Sequence, residues 1–152
     1  MAGRGRLARP AKKKIGTLLD THAWIWLVFN ERHRANEHAW QEIDDASKTN
    51  SLAVSEISFW EIATKAVKGK LELDRDVVVW LREAASTPGV GVVEVERETL
   101  VRSALLEMHA DPADRILAAT ALRYGLRLAT ADRALLQYAE RNRLLKVLDM
   151  RP

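Results

Sequence analysis

Five short strand-like runs, each set apart by a stretch with helical periodicity, constrain the fold of this chain more than any other feature. Residues 15–19 (IGTLL), 52–54 (LAV), 92–95 (VVEV), 127–130 (RLAT) and 144–148 (LLKVL) read as strands. Phe59, Ile62, Ala63, Ala66 and Val67 fall at i, i+3, i+4, i+7 and i+8, one apolar stripe of a helix that Gly69 closes. Asp111 and Pro112 open another helix as acidic N-cap and proline at the first helical position, and Gly125 ends it. Its middle, residues 116–122, is apolar or small nearly all round, so burial on more than one side is expected. Further helices are expected over residues 22–29, about 36–47, 76–86, 97–109 and 132–142. Strands alternating with helices predict a three-layer α/β/α sandwich around a central, mainly parallel sheet. Ligands of such sheets bind beyond the carboxyl ends of the strands.

With 152 residues, 47% of them apolar, the chain has the material for one domain with a real core. It has no cysteine, which excludes disulfides and thiolate metal sites and fits a reducing cytoplasm. The longest wholly apolar run, residues 23–29, is seven residues long and cannot span a membrane. Residues 1–14 carry six basic side chains and no acid, so the rest of the chain is −3 against +3 overall. This segment has no apolar h-region and is expected to be a disordered tail ahead of a domain at 15–150. It reads equally as a solvated extension, or an early start codon, and as a polyanion-binding arm; a transit peptide is a minor third reading.

Asp20, Glu61, Asp114 and Asp132 each lie within or at the start of a helix, or just past a strand-like run. Two carboxylates about 6 Å apart repel by roughly 3 kcal/mol at an effective dielectric near 20, and four such groups make about six pairs. If the fold gathers them, the cluster must take up protons or a cation. Oxygen donors without cysteine favour Mg²⁺ or Mn²⁺ over zinc. Each acid also has an ordinary reading. Asp132 serves as an N-cap, Asp114 complements a helix dipole, Glu61 completes a capping box with Ser58, and Asp20 ends a strand in a turn. Against the capping box, Glu61 lies about 200° around its helix from Phe59, off the apolar face. His22, His33, His38 and His109 share no ligand spacing and read as structural or surface residues. Of the five tryptophans, Trp24, Trp26 and Trp60 fall in apolar or amphipathic segments and read as core or dimer contacts before base-stacking groups.

Four motifs occur in order: LLDTHAWIWL, SEISFWEIATKAVKGKLEL, HADPADRILAATA and LATAD. Over about residues 15–149 the chain resembles a PIN-domain ribonuclease of the VapC toxin type. The resemblance implies a PIN-like fold and puts the family's acidic quartet on Asp20, Glu61, Asp114 and Asp132. Thr130 becomes the supporting or water-positioning hydroxyl, and Asp111 the helix cap beside the catalytic position. Ala113 stands where relatives often carry a bulky aromatic residue. The implied activity is Mg²⁺- or Mn²⁺-dependent endonucleolytic cleavage of RNA by the toxin of a toxin–antitoxin pair, with a VapB-type antitoxin and a homodimer as partners. Lys65 and Arg115 are the nearest candidates to receive RNA phosphates, although Lys65 reads equally as the i+4 ion-pair mate of Glu61. The alternatives are a catalytically inactive PIN-like interaction module and, disfavoured by the lack of a DxD pattern, a phosphatase or phosphotransferase.

Overall fold

Five strands, β1 (Thr17–Leu19), β2 (Leu52–Ser55), β3 (Val90–Val93), β4 (Arg127–Thr130) and β5 (Lys146–Asp149), lie parallel in the order β3-β2-β1-β4-β5. The computed structural model describes residues 16–152; the basic segment and Ile15 lie outside the described residues. Among the described residues, seven α-helices connect the strands: α1 (Thr21–Phe29), α2 (Glu37–Lys48), α3 (Glu56–Val67), α4 (Val77–Ala85), α5 (Arg97–Leu105), α6 (Pro112–Tyr124) and α7 (Arg133–Arg141).

The strand alternation explains the three layers. Leu19, Leu52, Val54, Ala129 and Leu148 point to one face of the sheet, where they pack with Trp24 of α1, Ile43 of α2, Ile62 of α3 and Trp80 of α4. Their neighbours Leu18, Leu128 and Val147 point to the other face, against Leu117 and Ala121 of α6 and Leu135 and Tyr138 of α7. A sheet covered on both faces needs apolar residues at successive positions, and β1 and β4 supply them. The expected α/β/α sandwich is the observed fold.

Local signals set the helix ends. Asn36, Ser55, Asp76, Asp111 and Asp132 accept backbone N–H bonds as N-caps of α2, α3, α4, α6 and α7. Gly125 takes the left-handed conformation, φ 64°, that stops α6. As its sequence predicts, α6 is buried continuously from Ile116 to Ala121.

Three boundaries differ from expectation. The third strand begins at Val90, because residues 90–93 pair with Leu52–Ser55; Gly91, a residue that weakens strand patterns, disguises its start. Helix α5 ends at Leu105 instead of continuing to residue 109, since the following carbonyls bond Arg115. The last strand starts at Lys146, after Leu144 has been left 80% exposed in a turn begun by Asn142.

Candidate metal centre

The strand order has one reversal point. The chain leaves β1 for β2 on one side, then crosses from the far edge strand β3 to β4 on the other side of β1. Parallel sheets open a crevice at the carboxyl ends of the two strands flanking such a switch. Asp20 directly follows β1, and Thr130 is the last residue of β4.

Asp20 is only 4% exposed and is tied on both oxygens. Its Oδ1 caps α1 by accepting the Ala23 N–H at 2.8 Å, and its Oδ2 accepts the Thr130 hydroxyl at 2.5 Å. Burial pushes the carboxyl up to about 6, helped by the Asp132 charge and opposed by these two hydrogen bonds. The Thr130 Oγ1 also accepts the Asp132 N–H at 2.9 Å, and Asp132 in turn caps α7 through the Leu135 N–H at 3.0 Å. One hydroxyl thus fixes the acids after β1 and β4 relative to each other.

Glu61 comes from α3, 40 residues beyond Thr21 in sequence, and meets that residue at the same crevice. The Thr21 hydroxyl donates to Glu61 Oε1, and the same hydroxyl lies 2.8 Å from the Ser58 hydroxyl. Burial raises the Glu61 carboxyl, as does Asp111, while the Thr21 bond, Lys65 and His22 lower it. Ser58 therefore sits inside α3 and binds Thr21; the cap of α3 is Ser55, so the capping-box reading of Glu61 does not describe its partner. No ion pair joins Glu61 to Lys65 among the described residues.

Asp114 occupies the first turn of α6, where the Asp111 Oδ1 accepts its N–H at 3.0 Å. Its carboxyl is pushed up to about 8, by burial first and then by the charges of Asp111, Asp132, Glu61 and Asp20. Four separate stretches of chain thus act on one carboxyl, and the charges acting on it are all carboxylates. A proton relieves the repulsion at neutral pH; a divalent cation relieves it better, because it neutralises several carboxylates together.

The donor set fits such a cation in chemistry. It offers carboxylates and hydroxyls, with no thiolate, the preference of a hard ion. Among the described residues, no group of three or more acidic or histidine side chains is closed tightly enough to hold an ion in the positions shown. Asp20 is fixed by two hydrogen bonds and Glu61 by the Thr21 hydroxyl, while no side-chain hydrogen bond ties the Asp114 carboxylate among the described residues.

The structure assigns other predicted residues differently. Arg115 donates to the carbonyls of Ser103 (3.1 Å), Ala104 (2.9 Å), Leu106 (2.8 Å) and Met108 (2.5 Å). Its guanidinium holds the end of α5 and the loop before α6, which replaces the expectation of an RNA contact. Lys65 lines a cleft beside Glu61 and Asp111. Ala113 is buried against that same cleft. Trp24 is fully buried and packs at a tilt against Phe59 with centroids 5.1 Å apart, whereas Trp60 is 62% exposed, which removes the core role from the two expected, core or dimer contact. Sequence reasoning does not single out Thr21 or His22. His22 lies at the rim, its imidazole lowered by burial and Lys65 against the pull of Glu61 and Asp132. Their position directly after Asp20, on the first turn of α1, is the signal that marks both.

Residues 17–141 match the PIN domain. The chain belongs to the PIN-domain family, in the VapC-type ribonuclease group. It is 36% identical to Ribonuclease VapC22 of Mycobacterium tuberculosis (strain ATCC 25618 / H37Rv) over 125 residues, covering 78% of this chain and 88% of that protein. Its fold is similar to that in DNA-bound VapBC from Salmonella typhimurium, with a TM-score of 0.64 at 17% identity, covering 90% of this chain and 98% of the other. VapBC2 from Rickettsia felis, bound to a promoter DNA fragment, gives a TM-score of 0.63 at 13% identity over 88% and 98% of the two chains.

Proposed function

We propose that this chain is a metal-dependent endoribonuclease and the toxin of a toxin–antitoxin pair, hydrolysing RNA phosphodiester bonds at the crevice between β1 and β4. The observation that carries this reading is the crevice itself, where Asp20 and the Asp132 backbone share the Thr130 hydroxyl, Glu61 meets Thr21, and the Asp114 carboxyl is raised by burial first and then by the surrounding acids. Asp20, Glu61 and Asp114 hold Mg²⁺ or Mn²⁺, and Asp132 acts on the metal or through water. A divalent cation at this point supplies Lewis-acid activation of water and charge stabilisation at the scissile phosphate.

The chain's own part is positioning. Thr130 holds the Asp20 carboxylate in one rotamer and joins it to the backbone ahead of α7. Thr21 does the same for Glu61. Asp114 gives up its proton when a cation loads, so at neutral pH binding releases H⁺. Lys65, beside Glu61, offsets the repulsion that an RNA phosphate meets from the acids.

A VapB-type antitoxin is the proposed protein partner, supported by the likeness of the fold to the toxin–antitoxin complexes of Salmonella and Rickettsia. A homodimer and a cytoplasmic location complete the reading; no helix among the described residues is long and apolar enough to cross a membrane.

The test incubates the purified protein with structured RNAs in Mg²⁺ or Mn²⁺ and in chelator, beside Asp20→Asn and Asp114→Asn. Cleavage by the wild type with metal, lost in chelator and in both variants, is expected. Cleavage that persists in chelator or in both variants overturns the reading, and no cleavage in any arm leaves the inactive interaction module as the better account.

A further inference from the structure

Helix α3 presents an aromatic ring that the fold does not use. Trp60, next to Glu61, is 62% exposed, and no ring or guanidinium stacks on it among the described residues. It lines a cleft of about 250 Å³ with Lys65, Lys68, Lys70, Glu61 and Asp111. None of the three lysines forms an ion pair among the described residues. The cleft therefore joins an unstacked indole and three lysines outside any ion pair to Glu61 of the candidate metal centre and to Asp111, the cap of α6.

We infer that this cleft is a nucleotide subsite of the RNA substrate, in which the Trp60 indole stacks on one base adjoining the scissile phosphate and Lys65, Lys68 and Lys70 carry the backbone phosphates. The inference rests on the ribonuclease reading and deepens it. An exposed indole is costly on a protein surface and is suited to a partner with a flat π-face. Polyanion binding follows from the charges: an RNA strand that must enter a pocket of carboxylates needs cations along its path, and these three line the same cleft as Glu61 and Asp111. The volume is below that of a drug-sized pocket and suits a single nucleobase. Stacking tolerates any base, so the subsite sets affinity and register more than sequence choice.

The test measures anisotropy of a fluorescein-labelled, single-stranded oligoribonucleotide in chelator at low salt, where binding is read without cleavage. Trp60→Ala is expected to weaken binding at least about tenfold, the usual effect of removing one stacked base, with Trp60→Phe within about threefold of wild type. An abasic oligomer of equal charge is expected to bind both proteins alike. Lys68→Ala with Lys70→Ala is expected to weaken all probes and flatten the salt dependence by about 1.4 in log–log slope. In Mn²⁺, the Trp60→Ala enzyme is expected to show a raised KM with kcat retained.

Wild-type affinity in Trp60→Ala, an equal loss on the abasic probe, no wild-type binding in chelator, or a change in oligomeric mass by light scattering without a change in RNA affinity each overturns the inference. The last outcome assigns the ring to a protein contact. RNA cleavage with an indifferent Trp60 removes this subsite and leaves the nuclease standing; Trp60-dependent binding without any cleavage does the reverse.

Discussion

Thr130 donates its hydroxyl proton to Asp20 Oδ2 at 2.5 Å, across 110 residues of sequence and between the two strands that flank the sheet's reversal point. Both residues are buried, so the bond is shielded from water. It lowers the carboxyl that burial raises, and it leaves Asp20 charged over more of the physiological range.

Thr130→Val keeps the shape of the side chain and removes this donor. The Asp20 carboxyl then rises above its present value of about 6, and Mn²⁺ affinity at pH 7 falls by about tenfold to a hundredfold, the range found for groups that orient metal ligands. Titration calorimetry measures the loss, and Thr130→Ser restores most of it. Unaltered affinity in the valine variant contradicts the positioning role.

Asp114 and Asp20 contribute a metal-free stability that is lost as pH rises from about 4 to about 8. Asp114 in the folded chain holds its proton to about 8 and Asp20 to about 6, against 3.8 for both when unperturbed. Through this window the folded state binds more protons at these two carboxyls than the unfolded one, so their contribution weakens with each increase in pH. Asp114→Asn removes the largest contribution: its Tm exceeds that of wild type at pH 8 in chelator, and the difference shrinks towards pH 5. Mg²⁺ raises the wild-type Tm at pH 8 more than that of the variant. Calorimetric scans that show the same difference at both pH values contradict the assignment.

Divalent-cation affinity climbs over the same window, because loading must displace the Asp114 proton until the pH passes about 8. The expected record is an apparent Kd for Mn²⁺ that tightens steadily from pH 6 to pH 8, together with proton release seen as a buffer-dependent enthalpy. A constant Kd over that range tells against a carboxylate cluster as the binding site.

Arg115→Ala destabilises the fold by about 2 kcal/mol or more, since backbone carbonyls lose charged donors at the junction of α5 and α6. Arg115→Lys recovers little of this, because an ammonium cannot reproduce the planar fork. Urea unfolding measures both. Unchanged stability with weaker RNA binding returns Arg115 to the substrate.

The fold is legible where chemistry is local. Asp111-Pro112, Asn36 and Asp132 announce helix starts because capping uses atoms within three residues. Leu18 and Leu19 announce a strand buried on both faces because the pleat alternates. Partner choice across the sheet is not local. That Thr130 reaches Asp20, or that Thr21 takes Glu61 from Lys65, follows from how β1, β4 and α3 pack, and no spacing encodes it. Arg115 misleads for a similar reason: it adjoins an acid in sequence, while its donors fit the carbonyls at the end of α5. Trp60 misleads because an apolar side chain in an amphipathic helix reads as core until the neighbouring layer is known to stop short of it.

Asp20, Asp111 and Asp132 each start a helix with the same carboxylate that charges the crevice. On the proposed reading charge and capping share atoms at these positions, and substitutions divide by whether they keep an acceptor. Alanine at Asp20 or Asp132 deletes a charge and unfastens a helix together, so an inactive alanine variant says little about chemistry. Asparagine keeps the cap and discards the charge. The same asymmetry applies over evolutionary time: a lineage that abandons cleavage yet keeps the scaffold has a narrow passage through asparagine, and its descendants would carry the trace of the lost enzyme as amides at their helix starts.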